Sequence, residues 1–360
     1  MAPHLKHSKT EDSPHLTHLS PSAAMPGGEV EAHGTNLGPT EQIPRTTLGD
    51  LSAPIILSRP TQATIRIPEG SISGELVLHR DGHASNALFL NVAVPMAENL
   101  HPIANPAVDA DQNIFATVSG PRGQQVPVSI FRIARDLQIR PFVRDLLNIS
   151  GLAFSPSGDL YASSRAEGTV YRIDATGQTT TFAEGLGIAT GLAFDLEGNL
   201  YVGDRSGTIF KIAPDLGPQL SAADRETFVF ATLEPSMAAY HLAFNSRGTL
   251  FVTAPNTSSN QAIHTIDPAG NTTVFYQGLG RPQGLAFDVD DNLYVAASLR
   301  GQRGIIRITP ALNGRTPEAS LTVSGQNLVG LAFLEDGCAA LATRDALFHI
   351  ALDIEGRKLV

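Results

Sequence analysis

The sequence predicts an all-β protein, a small N-terminal β-sandwich followed by a six-bladed β-propeller, and three observations carry that prediction. A short apolar run, in most copies Leu-Ala-Phe, recurs six times at intervals of 46, 40, 50, 43 and 46 residues. Each recurrence is followed by further short strand-like runs separated by turn residues, which is the period and content of a propeller blade. The 360 residues include 33 glycines, 24 prolines and no tryptophan, a composition suited to many turns and short strands rather than long helices.

Residues 191–212, GLAFDLEGNLYVGDRSGTIFKI, show the unit most plainly. Leu192-Ala193-Phe194 and Leu200-Tyr201-Val202 are apolar runs joined by Asp195-Leu196-Glu197-Gly198-Asn199, and residues 208–212 alternate as a third run. Gly198 supplies the positive φ that such a hairpin needs, while Asp195 and Asn199 can hydrogen-bond the local backbone. The unit therefore reads as an antiparallel meander.

The first runs of the six copies start at Pro106, Leu152, Leu192, Leu242, Leu285 and Leu331. Second runs follow at Ile114, Leu160, Leu200, Leu250, Leu293 and, in degenerate form, Ala340, and a third and a more variable fourth run follow in most copies. A linear array would leave its ends bare, whereas six twisted blades close into a ring with no long edge. The last copy ends near Leu352, so two sources are open for its fourth strand: Leu359-Val360, or residues 97–103, which would join the two ends of the ring.

Ahead of the repeats, residues 1–13 are polar and are expected to form a disordered leader. The HxxH pairs His4/His7 and His15/His18 have no cysteine or acidic company, and they read as part of a polar leader rather than a metal site. Over residues 14–95 six short alternating runs are separated by turn residues, the pattern of a small β-sandwich, with residues 39–51 more irregular. LSPSAAMPGGEVEAHGTNLG (19–38) and IRIPEGSISGELVLHRDGHASNALFLNV (65–92) resemble an IPT/TIG immunoglobulin-like domain. The resemblance implies a spacer, adhesion or interaction module, and no catalytic set is visible here, so a spacer is expected.

From about residue 100 onward the copies, through (G)LAF-D-x-x-G-N-LYV and G-x-I-x-(K/R)-I, resemble the NHL and gluconolactonase-type six-bladed propellers. That group contains enzymes, sensors and binding modules. For its lactonases the resemblance implies a divalent metal held by a carboxylate and amide or carboxylate oxygens around the funnel, with asparagine in an N-G-(L/I) entry. Here the residues taken to lead into the inner strands are Asn105, Ser150, Thr190, His241, Gln283 and Val329, with no Asp or Glu among them. Zinc-dependent propeller lyases draw several histidines from equivalent loops, whereas only His241 and His101 are placed to contribute here. A lactonase or lyase supported by Ca or Zn is thus the alternative reading, and no cofactor is expected under the leading one.

His241, preceded by Tyr240, breaks a position held by glycine in other copies and is a candidate ligand-contacting group near the axis. Asp204 is expected to bond its own loop, and Asp288-Val289-Asp290-Asp291-Asn292, which superficially resembles a calcium loop, is expected to be a hairpin turn. Cys338 is expected to be a buried small residue. Arginine supplies the less expected pattern. Arg122, Arg165, Arg205, Arg300, Arg303 and Arg344 fall in the loop after the second strand in five of six copies. If these loops share a rim, guanidinium groups converge there and bind anions in the bidentate manner; the competing expectation pairs each with a carboxylate such as Glu167 or Asp204.

Composition narrows the field. Residues 1–95 carry a net charge of −3 and residues 96–360 one of −7, so neither part is built to neutralise phosphates and nucleic acid is not an expected partner. The single cysteine cannot form an intramolecular disulfide, and no apolar stretch approaches the ~20 residues that span a membrane. The N-terminus lacks the apolar core of a secretory signal, which points to the cytoplasm as written, or outside it if a longer precursor is trimmed. The expected protein is a monomer that binds an unidentified small molecule, glycan or protein on the funnel face through Asn105, Ser150, Thr190, Tyr240, His241, Gln283 and the arginines.

Overall fold

A computed structural model describes residues 13–40, 42–214, 221–222, 225–258, 260–311 and 316–357. The described residues are all-β, without an α-helix. The chain forms two compact units. One runs up to Val94 and includes Leu321–Gln326; the other comprises Pro95–Ser320 and the residues from Asn327 onward.

The first unit holds two sets of strands. His15–Ser20, Glu29–Thr35, Gln62–Arg66 and Ile55–Arg59 pair in that spatial order, all antiparallel. Leu51–Ala53, Arg45–Leu48, Gly74–Arg80 and Leu88–Val92 form a second antiparallel run. Alternation explains the layers: in Glu29–Thr35 Val30 and Ala32 face inward, and with Leu16, Ile65, Leu76, Leu78 and Leu90 they make one apolar core. The irregular stretch 39–51 contains a regular strand, Arg45–Leu48, whose Thr46 and Leu48 are buried. Of the four leader histidines, His15 and His18 lie in the first strand, with His18 stacked on His33, while His4 and His7 fall outside the described residues.

Six four-stranded blades follow in the chain. Blade 1 comprises Ala107–Val108, Ile114–Thr117, Ile130–Ile133 and Ile139–Val143. Blade 2 comprises Ile149–Phe154, Leu160–Ser164, Thr169–Ile173 and Thr179–Ala183, and blade 3 Ala189–Phe194, Leu200–Asp204, Thr208–Ile212 and Thr227–Thr232. Blade 4 is His241–Phe244, Leu250–Thr253, Gln261–Ile266 and Thr272–Gly280; blade 5 is Leu285–Phe287, Leu293–Leu299, Gln302–Thr309 and Glu318–Ser324. Each first strand neighbours the next, and that of blade 1 meets Leu328–Phe333 of blade 6, so the blades close a ring.

Blade 6 takes Leu328–Phe333, Cys338–Thr343 and Ala346–Ala351 from the end of the chain and its fourth strand, Val94–Glu98, from before blade 1. Closure therefore uses the N-terminal source, beginning a few residues earlier than the segment 97–103; Leu359-Val360 lies outside the described residues. Ala97 and Leu100 enter a core with Ile114, Ile133, Ala340 and Leu347, and Met96 packs against it. Met96→Ala, which trims a half-buried side chain from this closure, is expected to cost about 1–2 kcal/mol, less than a full core truncation. Urea unfolding monitored by circular dichroism checks it, and an unchanged midpoint would mean that the closing strand contributes little.

A recurrent turn and a recurrent ring stack hold the blades. Asp195 Oδ1 accepts the Glu197 and Asn199 amides at 3.0 and 2.8 Å, and Asn199 Nδ2 donates to Asp195 Oδ2 at 2.8 Å, with Gly198 at φ 83°. Asp288 and Asn292 repeat this arrangement, so that segment is a hairpin turn. Between blades, an aromatic residue of one second strand meets the phenylalanine of the next inner strand edge-to-face. The pairs are Phe115–Phe154, Tyr161–Phe194, Tyr201–Phe244, Phe251–Phe287 and Tyr294–Phe333, at 4.9–5.3 Å. At the seam between blades 6 and 1, Ala340 and Val108 occupy the corresponding places, and that seam is the one joined through the closing strand.

Candidate functional site

Strand register places Asn105, Gly151, Gly191, His241, Gly284 and Gly330 at one level of the inner ring, each directly ahead of its Leu-Ala-Phe equivalent. Glycine is required by close approach: a Cβ on Gly151 would stand 2.2 Å from Thr190 O, and one on Gly191 2.4 Å from Tyr240 O. Only Asn105 and His241 carry side chains at this level. Three blades apart in a ring of six, they stand on opposite sides of the axis.

Asn105 is fully engaged. Its Nδ2 donates to Leu285 O at 2.8 Å and its Oδ1 accepts Leu331 N at 3.1 Å, which ties blade 1 to blades 5 and 6. His241 is the opposite case. It is 4% exposed, its Nε2 is buried without a hydrogen-bond partner among the described residues, and burial alone pushes its pKa down to about 4. The imidazole is therefore neutral at pH 7.

Ser150, Thr190, Tyr240, Gln283 and Val329 sit one residue earlier than that level, and the side chains of Thr190 and Gln283 bond across blades. Thr190 Oγ1 donates to Gly203 O at 2.9 Å and accepts Tyr240 N at 3.0 Å. Tyr240 Oη donates to Glu234 O, and burial pushes its pKa up to about 12 with Asp204 and Glu234 adding to the shift. Thr253 Oγ1 donates to Gln283 O at 2.7 Å, and Gln283 Nε2 donates to Leu328 O at 3.1 Å. Ser150 is buried, its Oγ 3.4 Å from Asn148 O, and Val329 lies in the core. Hydrogen bonds at this level link blade 3 to 4, 4 to 5 and 5 to 6, consistent with the rule that buried polar groups are satisfied.

The second strand of each blade runs antiparallel to the inner one, so the loops after it lie at the end where the inner strands begin. Arg122, Arg165 and Arg205 come from these loops in three consecutive blades. Arg165 Nη2 donates to Gly120 O at 3.0 Å, in the loop that carries Arg122, and Arg205 Nη2 donates to Met237 O at 2.6 Å. Burial, and after it the charges of Arg205 and Arg122, lower the pKa of Arg165. Among the described residues none of the three has a carboxylate within ion-pair distance. Glu167 instead accepts from Tyr171 Oη at 2.7 Å, and Asp204 accepts Ile188 N at 2.7 Å and Ser206 N at 3.2 Å. The expected pairing of these arginines with Glu167 or Asp204 is thus corrected: both carboxylates hold their own loops. Arg300 stands with Gly301 at the tip of a two-residue hairpin in blade 5, Arg303 is exposed on the strand that follows, and Arg344 is exposed in blade 6 beside His101.

At the opposite end of the ring lies a cavity of about 1580 Å³. Its walls are the Leu-Ala-Phe residues of the inner strands, and Asn105 and His241 are among its lining. Turns joining first to second strands surround its mouth. The C-terminal segment reaches across blade 5 there, with Val289 N donating to Glu355 O at 3.1 Å and Arg357 N to Phe287 O at 2.9 Å. Cys338, on the same end of blade 6, is half-buried rather than buried, and burial with nearby Asp336 and Asp353 raises its pKa, keeping it a thiol.

The lactonase-type resemblance implies a divalent metal, and the residues present do not fit one. Both amide atoms of Asn105 are committed to backbone, and no group of three or more His, Cys, Asp or Glu suited to a metal is found among the described residues.

No protein-family model matches the sequence and no curated protein matches it. Solved structures do. A gluconolactonase from Xanthomonas campestris aligns with a TM-score of 0.57 and 15% identity, covering 72% of this chain and 89% of its own. An auxiliary nutrient binding protein from Bacteroides ovatus aligns with a TM-score of 0.52 and 12% identity over 95% of this chain and 98% of its own. A structural genomics protein of unknown function from Bacteroides thetaiotaomicron gives 0.55 and 13% over 94% and 98%. These likenesses establish the β-propeller fold, and the chemistry has to be read from the residues.

Proposed function

We propose that this is a non-catalytic binding protein that holds an anionic ligand, a small molecule, glycan or peptide, at the arginine end of an NHL-type propeller, with an IPT/TIG-like unit as spacer. One observation supports the reading: Arg165 donates to the backbone of the loop that carries Arg122, the charges of Arg122 and Arg205 both act on it, and none of the three has a carboxylate partner among the described residues. Clustered guanidinium groups without counter-charge repel one another, and an anion that bridges them removes the repulsion while gaining charge-assisted hydrogen bonds. Such bonds contribute about 1.5–3 kcal/mol each. Binding is also the role named for the Bacteroides ovatus neighbour. The lactonase reading lacks an oxygen ligand set for its metal.

Citrate serves as a test anion. Calorimetric titration at low salt is expected to show binding that weakens at least tenfold in Arg122→Ala/Arg165→Ala/Arg205→Ala, since 1.4 kcal/mol is a factor of about ten. Added sodium chloride should weaken it as well. Equal affinity in both proteins would overturn the reading, as would binding indifferent to salt.

A further inference from the structure

The cavity at the hairpin end is a second site with a chemistry unlike that of the arginine rim. Its walls are apolar, supplied by Leu152, Leu192, Leu242 and their alanine and phenylalanine neighbours in the inner strands. Its mouth is acidic. Asp111, Asp353 and Glu355 line it, together with Asp109 and Asp174, whose carboxylates also accept hydrogen bonds within their own turns, and among the described residues none of these five has a basic partner within 4.0 Å. Of the basic residues in the lining, Arg357 is held by Asp291 at 3.1 Å, which leaves Arg132. His241 contributes a buried imidazole to the lining, and its Nε2 has no hydrogen-bond partner among the described residues.

An unsatisfied buried polar group costs free energy that a ligand can recover by bonding it. Apolar walls around a few convergent polar groups are the usual make-up of a small-molecule site, and the volume exceeds the ~300–1,000 Å³ typical of one. Unpaired carboxylates at the mouth select positive charge. We propose that this cavity binds a small organic cation, an amine whose apolar or aromatic body lies against the Leu-Ala-Phe walls. Its ammonium sits among the mouth carboxylates, and a polar group at its inner end meets His241. The site is separate from the arginine rim and stands or falls independently of it.

The test titrates the full chain with tyramine, which carries an ammonium and a phenolic hydroxyl on one aromatic body, by calorimetry and ligand-observed NMR. 4-Hydroxyphenylpropionate, of similar size but opposite charge, is the comparison. Tyramine is expected to bind at least tenfold more tightly than the anion. Asp353→Asn/Glu355→Gln, which alters exposed or half-buried side chains only, should weaken tyramine about three- to tenfold, as expected for two partly exposed ion pairs. His241→Gln tests the inner contact and should weaken tyramine more than it weakens phenethylamine, which lacks the hydroxyl. The arginine triple variant should leave tyramine unaffected. No tyramine binding at millimolar concentration, equal binding of the anion, or full affinity in the mouth variant would each overturn the proposal.

Discussion

Tyr201→Ala is expected to destabilise the propeller by about 3–5 kcal/mol, the range for removing a large aromatic side chain from a core. Tyr201 is 4% exposed and lies at the centre of a three-ring stack, 5.0 Å from Phe230 in its own blade and 5.0 Å from Phe244 in the next. Both contacts are edge-to-face, the geometry that adds to simple area burial. Its hydroxyl also donates to Asp195 Oδ2 at 3.2 Å, the carboxylate that organises the hairpin turn. Burial and that carboxylate raise the phenol pKa, so the group stays a donor. Truncation therefore loses packing within the blade, packing between blades and one contact to the turn. Tyr201→Phe separates these effects, since it keeps both ring contacts and should cost only about 0.5–1.5 kcal/mol. Urea denaturation of both variants decides the matter; a loss below 1 kcal/mol for the alanine variant would show that the stack is not what joins blades 3 and 4.

The rings were legible in the sequence because their spacing is local. Leu-Ala-Phe, a turn of Asp-x-x-Gly-Asn type and Leu-Tyr-Val lie within a dozen residues, so period and turn chemistry reveal a blade without knowledge of its neighbours. The source of the closing strand was left open by the sequence, since Val94–Glu98 and its partner Ala346–Ala351 lie at opposite ends of the propeller sequence. Arg45–Leu48 was obscured by prolines and polar residues on either side, although its inward Thr46 and Leu48 follow the expected alternation.

The site was legible only in part, and the reason is register. Asn105 and His241 align with the ring glycines, whereas Ser150, Thr190 and Gln283 stand one residue ahead, and a single residue of offset turns a side chain to the other face of a strand. Position in the repeat does not separate the two sets; in the structure Thr190 and Gln283 bond across blades, while Ser150 bonds to Asn148 just ahead of it. Loop position revealed the arginines, but which of them meet depends on loop length. Arg300 at a tight hairpin tip is not among the charges that act on Arg165, while Arg122 reaches it through a longer loop anchored by Asn148, whose Oδ1 accepts Gly123 N at 2.7 Å. The cavity is invisible in one dimension because residues from six blades, and a C-terminal segment with no apolar pattern, jointly enclose it.

His241 gives the chain a built-in acid sensitivity. Burial lowers its pKa from 6.5 to about 4, so in that interval the unfolded chain takes up a proton that the folded chain refuses. Stability must then rise with pH across the interval and fall as pH drops through it. Each pH unit contributes at most 1.36 kcal/mol per proton, which makes the full effect ~3 kcal/mol between neutral pH and pH 4. His264 and His349 are shifted in the same direction by burial, and carboxylates add their own dependence, so the wild-type profile alone cannot isolate the residue. The difference between wild type and His241→Gln can, because the other groups are common to both. At pH 7 the variant gives up whatever packing the imidazole supplies; toward pH 4 it should gain on the wild type by ~3 kcal/mol, seen as converging or crossing urea midpoints. A stability difference that stays constant from pH 7 to pH 4 would mean that the imidazole protonates freely in the folded ring, and that the inner level is wet rather than closed around it.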